Sequence, residues 1–495
     1  ADPGTLVTLP INTELESVAV GEPYYPGATI ELPALSAGEY AVIDGARGDD
    51  AIALRNFDDL FNTITPLFLI PSGNNGRYIF QNLVIKTNNH STAIMIEEGG
   101  GGDSVRFENV IFAGDTDRTI DSMASVLEID KCSFEKGFSD FNIHVLVRAG
   151  ELSLTDSVLV NSSYCINIFS EDRAVIDNCY IESNGTAVWC GEADKTNLRI
   201  EDSTFVSNNG FYSVEAYLND APPESSIELV RNLFTFRDEG GYDVSGPSVM
   251  IQGDGTGTLA IDQCFFYGLE VMDMPVVGIF SQISFTISNT TFCDIRSDGS
   301  MSDYIAALMA YGGEGRITNS TFSNNIIEAA SLQGCVLLVD SHVDLINNTF
   351  HENYCFDGSV YEPVALKTAG DASFTAVNNI FAALSGTLAS NVFDDAGGMA
   401  PTYLADNGNV DGVGVQFCED LFGPAPVFLP DMDPYAGCGL PYGDLAPLQL
   451  VTIQIMPFGS ADGKGLVSAA APSADQRGGE QGRETRCRIY KRRIG

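Results

Sequence analysis

The chain has 495 residues, 44% apolar and only 19% charged, with 67 Asp and Glu set against 25 Lys and Arg for a formal charge of -42. Such an acidic surface repels nucleic acid and anionic membranes. No uninterrupted apolar run is long enough for a membrane-spanning helix, so no integral membrane segment is expected. Eleven cysteines are many for a reducing compartment, and none shows the close pairing of a zinc site.

Taken in order, residues 1–40 are punctuated by Pro and Gly and are expected to form a cap or first coil over an otherwise open edge. Glu39 to Asn56 reads as an early coil with a tight turn at Asp44 and Gly45. From Phe80 onward one nine-residue sentence repeats. Its clearest forms are Ile200 to Asn208, Ile317 to Asn325 and Leu345 to Asn353. The third residue of each copy is Asn82, Asn109, Lys131, Asp156, Asn178, Asp202, Asn232, Gln263, Asn289, Asn319, Asn347 and Asn378, at spacings of 22 to 31 residues. Position one is apolar in every copy, and position six is usually Phe, Leu or Ile.

Short alternation, a polar interruption and renewed alternation describe a strand, a corner and a second strand, not a helix. The repeat lacks the fixed leucines of a leucine-rich repeat and is too short for a propeller blade. The predicted fold is therefore all-β, a single-stranded right-handed parallel β-helix of about 12 or more coils over 41–400. Recurrent Asn or Asp at position three is explained either by corner propensity or by side chains bonding from coil to coil. Beyond Phe381 the repeat fades. Residues 401–455 carry most of the late prolines and read as a C-terminal capping segment, and 456–495 as a disordered basic tail. Disulfides are expected between Cys335 and Cys355 and between Cys418 and Cys438. Cys132, Cys179 and Cys264, at motif position four, read as core thiols.

The repeat resembles the right-handed parallel β-helix superfamily with its pectin-lyase-like fold. Phe205 to Asn208, Phe322 to Asn325 and Phe350 to Asn353 are similar to the Phe-x-x-Asn element of polymorphic outer-membrane proteins, which are surface adhesins. The companion Gly-Gly-Ala element and the C-terminal barrel of that family are absent. The superfamily also includes pectate lyases, polygalacturonases and phage tailspikes, so the fold alone does not choose a function.

Candidate chemistry is sparse. Asp140, His144 and Arg148 form the least ordinary cluster. Alternation would put His144 and Arg148 on one strand face, where Arg148 would orient a uronate carboxylate. Asp49, Asp50, Asp58 and Asp59 offer oxygens for calcium, against the plainer reading of solvent-facing turns. His342 and His351 flank the Asn347 copy, and Tyr212, Tyr217, Tyr242 and Tyr311 suggest stacking on sugar rings. Together these features point to a secreted or cell-surface protein with a binding, adhesion or structural role, its partner a polysaccharide or a cell-surface protein. The alternative is a calcium-assisted lyase or glycoside hydrolase acting on an acidic polysaccharide. A purely structural rod would self-associate.

Overall fold

The computed structural model describes residues 30–44, most of 66–382, and the short strands Thr5–Thr8, Ile52–Arg55, Phe393–Asp395 and Val410–Asp411. Asp49, Asp50, Asp58, Asp59, Asp140, Cys418, Cys438, nearly all of the expected 401–455 segment and the 456–495 tail lie outside the described residues. The chain winds as a right-handed parallel β-solenoid. A first sheet of mostly five-residue strands stacks without a break from Tyr40–Asp44 to Ser373–Val377, every neighbour parallel and in register. A second sheet of shorter strands includes Thr204–Ser207, Leu233–Phe236, Phe265–Tyr267 and Thr291–Cys293. A third includes Val214–Tyr217, Val249–Gln252, Val277–Phe280 and Leu308–Tyr311. In the later coils a short fourth sheet appears, Glu270–Met272 to Tyr354–Phe356.

The corner between first and second sheets explains motif position three. Asn82, Asn109, Lys131, Asp156, Asn178, Asp202, Gln263, Asn289, Asn319, Asn347 and Asn378 all have φ between 47° and 58°. Left-handed backbone disfavours most L residues by roughly 1–2 kcal/mol and Asn and Asp least, because their short polar side chains bond locally. The Asn232 copy is displaced by one residue. Ile200 pairs with Leu229 and Glu201 with Val230, so Arg231 takes the bend with φ 55° and Asn232 takes the next position. Bend side chains also bond across coils: Asn109 donates to Asn82 at 2.8 Å, Asn178 to Asp156 at 2.5 Å, and Asn347 to Asn319 at 3.2 Å.

Motif position four carries a second, buried ladder. Its oxygen accepts the N–H of the same position one coil earlier: Ser157 from Cys132, Ser203 from Cys179, Asn232 from Ser203, Ser320 from Thr290, Asn348 from Ser320 and Asn379 from Asn348. Hydroxyls here donate back to the carbonyl two residues before, as Ser157 does to Thr155 at 2.6 Å and Ser203 to Glu201 at 2.8 Å. Cys132, Cys179 and Cys264 make the same contact through Sγ, at 3.4, 3.2 and 3.5 Å. Cysteine thus stands in for serine at a buried corner.

Position six fills the interior. Phe205, Phe234, Phe266, Phe292, Phe322, Phe350 and Phe381 stack one per coil, with adjacent ring centroids 4.7–5.0 Å apart and planes within 13°. That distance is the inter-strand spacing itself. Each ring is essentially inaccessible, and its burial contributes on the order of 1.5–3 kcal/mol. The Phe-x-x-Asn element follows from the same geometry. After Phe322 the chain bends at Asn324, with φ 56°, and Asn325 turns inward to donate to Asn353 Oδ1 at 2.8 Å and accept from Ile295 N.

The disulfide expected between Cys335 and Cys355 is not formed. Both are buried thiols outside any disulfide, and no disulfide joins any of the described cysteines. Cys335 enters the third sheet as a core residue whose Sγ accepts from Asn325 Nδ2 at 3.6 Å, and Cys355 is buried on the fourth.

Candidate functional site

The cluster expected at Asp140, His144 and Arg148 is not assembled by the described residues. Burial does not alternate along the strand Ile143–Val147, and His144 lies in the interior against the Phe134 ring, 5.5 Å between centroids. Its Nε2 is 3.0 Å from the Val160 carbonyl, and burial lowers its pKa to about 4. Arg148 faces outward, and its guanidinium grips Asp121 with two bonds of 2.6 and 3.1 Å. Arg118 holds the other side of that carboxylate at 2.9 Å. His342 and His351 belong to different sheets. His342 Nδ1 is 2.7 Å from the Ser373 hydroxyl, whereas His351 is buried, which lowers its pKa to about 4. Its 3.2 Å contact with Glu352 is therefore a hydrogen bond at neutral pH, not an ion pair. Among the described residues no group of three or more His, Cys, Asp or Glu is placed to hold a metal.

The outer face of the third sheet has a different character. Strands on this wall alternate inward apolar residues with two outward rows. One row runs Leu146, Asn167, Trp189, Glu215, Met250, Gly278, Met309, Leu337 and is fixed by the parallel register; of its large apolar members Leu146, Met250, Met309 and Leu337 are buried and Trp189 is partly exposed. The other carries Tyr217, Gln252, Phe280 and Tyr311. Phe169, whose N–H donates to Val147 O, precedes them in line with Arg148.

Three aromatics from the two rows come together. Phe169 and Trp189 have ring centroids 4.9 Å apart, and Trp189 and Tyr217 6.1 Å, all inclined by 55–59°. Each is partly exposed. Gly191 makes this possible, because a Cβ there would come within 2.5 Å of the indole ring. Farther along, Phe280 and Tyr311 continue the line at 6.5 Å, Tyr311 being 44% exposed.

Two polar groups are set among these rings. Glu215 is only 6% exposed and accepts from Tyr217 Oη at 2.9 Å and Gln252 Nε2 at 3.4 Å. Burial raises its pKa, opposed by the Tyr217 bond. Asn167 is 8% exposed, and its Oδ1 is buried with no hydrogen-bond partner. An orphaned acceptor disfavours the fold by about 1–3 kcal/mol and is uncommon in native proteins.

Of the tyrosines singled out from sequence, Tyr217 and Tyr311 lie on this face, Tyr212 is half-buried near Glu215, and Tyr242 lies outside the described residues. Phe169, Trp189, Asn167 and Glu215 were not anticipated. Their signal is the alternation of Ile166, Asn167, Ile168, Phe169 and of Val214, Glu215, Ala216, Tyr217. Variable loops separate those runs from the main repeat.

No match is found among curated proteins. Among solved structures, that of PfbA, a surface adhesin of Streptococcus pneumoniae, is similar at 11% identity over 81% of this chain and 90% of that one, with a TM-score of 0.29, a likeness too slight to transfer a function. Residues 70–246 match the family described as right handed beta helix region, in agreement with the coil geometry.

Proposed function

We propose that this chain is a secreted or cell-surface binding scaffold that engages an extended polymer, a polysaccharide, along the outer face of its third sheet. The observation that supports this most is the line of partly exposed rings Phe169, Trp189 and Tyr217, held one per coil on a rigid wall. Exposed aromatics on a soluble surface mark ligand contacts more often than isolated aliphatics do. A solenoid repeats that contact at regular intervals, which suits a repeating ligand. Among the described residues nothing favours the lyase alternative, since His144 is interior and Arg148 is engaged by Asp121. The test is retention of the full chain on immobilised glycans and on cell-surface extracts, beside a Trp189→Ala variant. Saturable retention that the variant loses supports the reading. Retention indifferent to Trp189, or none on any glycan, overturns it.

A further inference from the structure

Resting on that binding face, we infer that the stretch formed by Asn167, Phe169, Trp189, Glu215 and Tyr217 is a subsite for an uncharged, hydroxyl-rich sugar chain running along the solenoid axis. The ring centroids lie 4.9 and 6.1 Å apart, on the scale of one coil and of one pyranose unit. Consecutive sugars therefore meet consecutive rings, their C–H faces against the π surfaces. The polar groups specify the rest. Asn167 Oδ1 is a buried acceptor with no partner, closed to solvent in the free protein, and a sugar hydroxyl would satisfy it once the Asn167 side chain turns outward. Glu215 has Tyr217 and Gln252 as donors and a second carboxylate oxygen to offer.

Charge decides the class of sugar. A uronate or sulfated chain would place anions beside Glu215 on a protein of net charge -42, an arrangement that is electrostatically unfavourable. Arg148, next in line to Phe169, is already committed to Asp121 by two bonds. A neutral glycan meets no such penalty and satisfies both acceptors.

The experiment titrates the full chain calorimetrically with neutral glucose hexasaccharides of β-1,4 and β-1,3 linkage, and with an oligogalacturonate of equal length. The expected result is binding of a neutral hexasaccharide with no measurable uronate binding. Asn167→Leu, which removes the unpaired acceptor without breaking a bond in the free protein, weakens binding about tenfold. Trp189→Ala abolishes it, and Trp189→Phe, which keeps a ring over Gly191, retains most of it. Melting temperatures of all variants show that each remains folded. Uronate binding equal to or tighter than neutral binding, or neutral binding unmoved by Asn167→Leu, overturns the ligand class while leaving the binding face in place. Failure of every oligosaccharide to bind overturns this ligand assignment, and the binding face falls with it only if immobilised glycans and cell-surface extracts also fail to retain the chain.

Discussion

Replacing Asn348 by Ala tests whether the buried corner ladder holds the coils together. Asn348 is 1% exposed, accepts Ser320 N–H at 2.9 Å, and donates to Ile317 O at 2.8 Å and Asn379 Oδ1 at 3.0 Å. Alanine strands the Ser320 amide in the interior and removes the side-chain bond to the Ile317 carbonyl, which stays in the strand ladder. At about 1–3 kcal/mol for the stranded amide and about 1 kcal/mol for the lost bond, the loss is about 2–4 kcal/mol. The neighbouring Asn347 provides the control. Its side chain donates to Asn319 at 3.2 Å from a partly exposed bend with φ 58°, so Asn347→Ala loses about 1–2 kcal/mol, chiefly from left-handed backbone. Asn348→Ser, which restores the acceptor that Ser203 and Ser320 provide in their own coils, recovers part of the difference. Because each coil touches only its neighbours, the damage is local. The assay is therefore chemical denaturation of the full chain combined with native-state hydrogen exchange at the Ser320 amide. Equal losses for Asn347→Ala and Asn348→Ala, or unchanged Ser320 exchange, would refute the ladder's contribution.

Phe292→Ala removes a ring stacked at 4.7 Å on both Phe266 and Phe322 and is expected to destabilise by about 3–5 kcal/mol; Phe280→Ala, on the outer face, is expected to cost under half as much in the same melts. Acid weakens the fold through His144. Its folded pKa of about 4 lies below the ordinary 6.5, so the unfolded state takes up the proton first and stability falls as pH drops from about 6.5 to 4, by about 3 kcal/mol. A His144→Gln variant whose pH profile is as steep as the parent's over that range would sink this assignment. Burial raises the thiol pKa of Cys132, Cys165, Cys179 and Cys190, so thiol reagents at pH 8 label them only after denaturation. Cys335 and Cys355, outside any disulfide in the structure, are both alkylated by a denaturing, non-reducing treatment, and a linked peptide pair in mass spectra would contradict this.

Much of the first two walls was legible in sequence because bend and strands lie within nine residues of each other, too close for loops to disturb their phase. The polar residue at position three records backbone geometry, the aromatic at position six records the interior stack, and each recurs because each coil poses the same problem. Val230 shows the limit of pattern reading: with Val230 and Leu229 both apolar, hydrophobicity alone placed the copy one residue late, and only pairing with Ile200 and Glu201 fixes it. The third wall stayed hidden because the connection from second to third sheet varies in length, so Trp189 and Glu215 hold no constant offset from the motif. The Cys335 and Cys355 pairing failed for a related reason. Separations near one coil bring residues of any type close together, and proximity in an interior built for small apolar groups is not oxidation.

The position-four ladder has a direction: where the following coil offers Ser, Thr or Asn, the corner amide is satisfied by that side chain. A chain made from its N-terminus therefore never completes a coil by itself. Ser203 waits for Asn232, and Ser320 waits for Asn348. Growth proceeds with one unfinished turn always trailing the ribosome or the exit from a translocation channel, and the newest turn becomes secure only when its successor arrives.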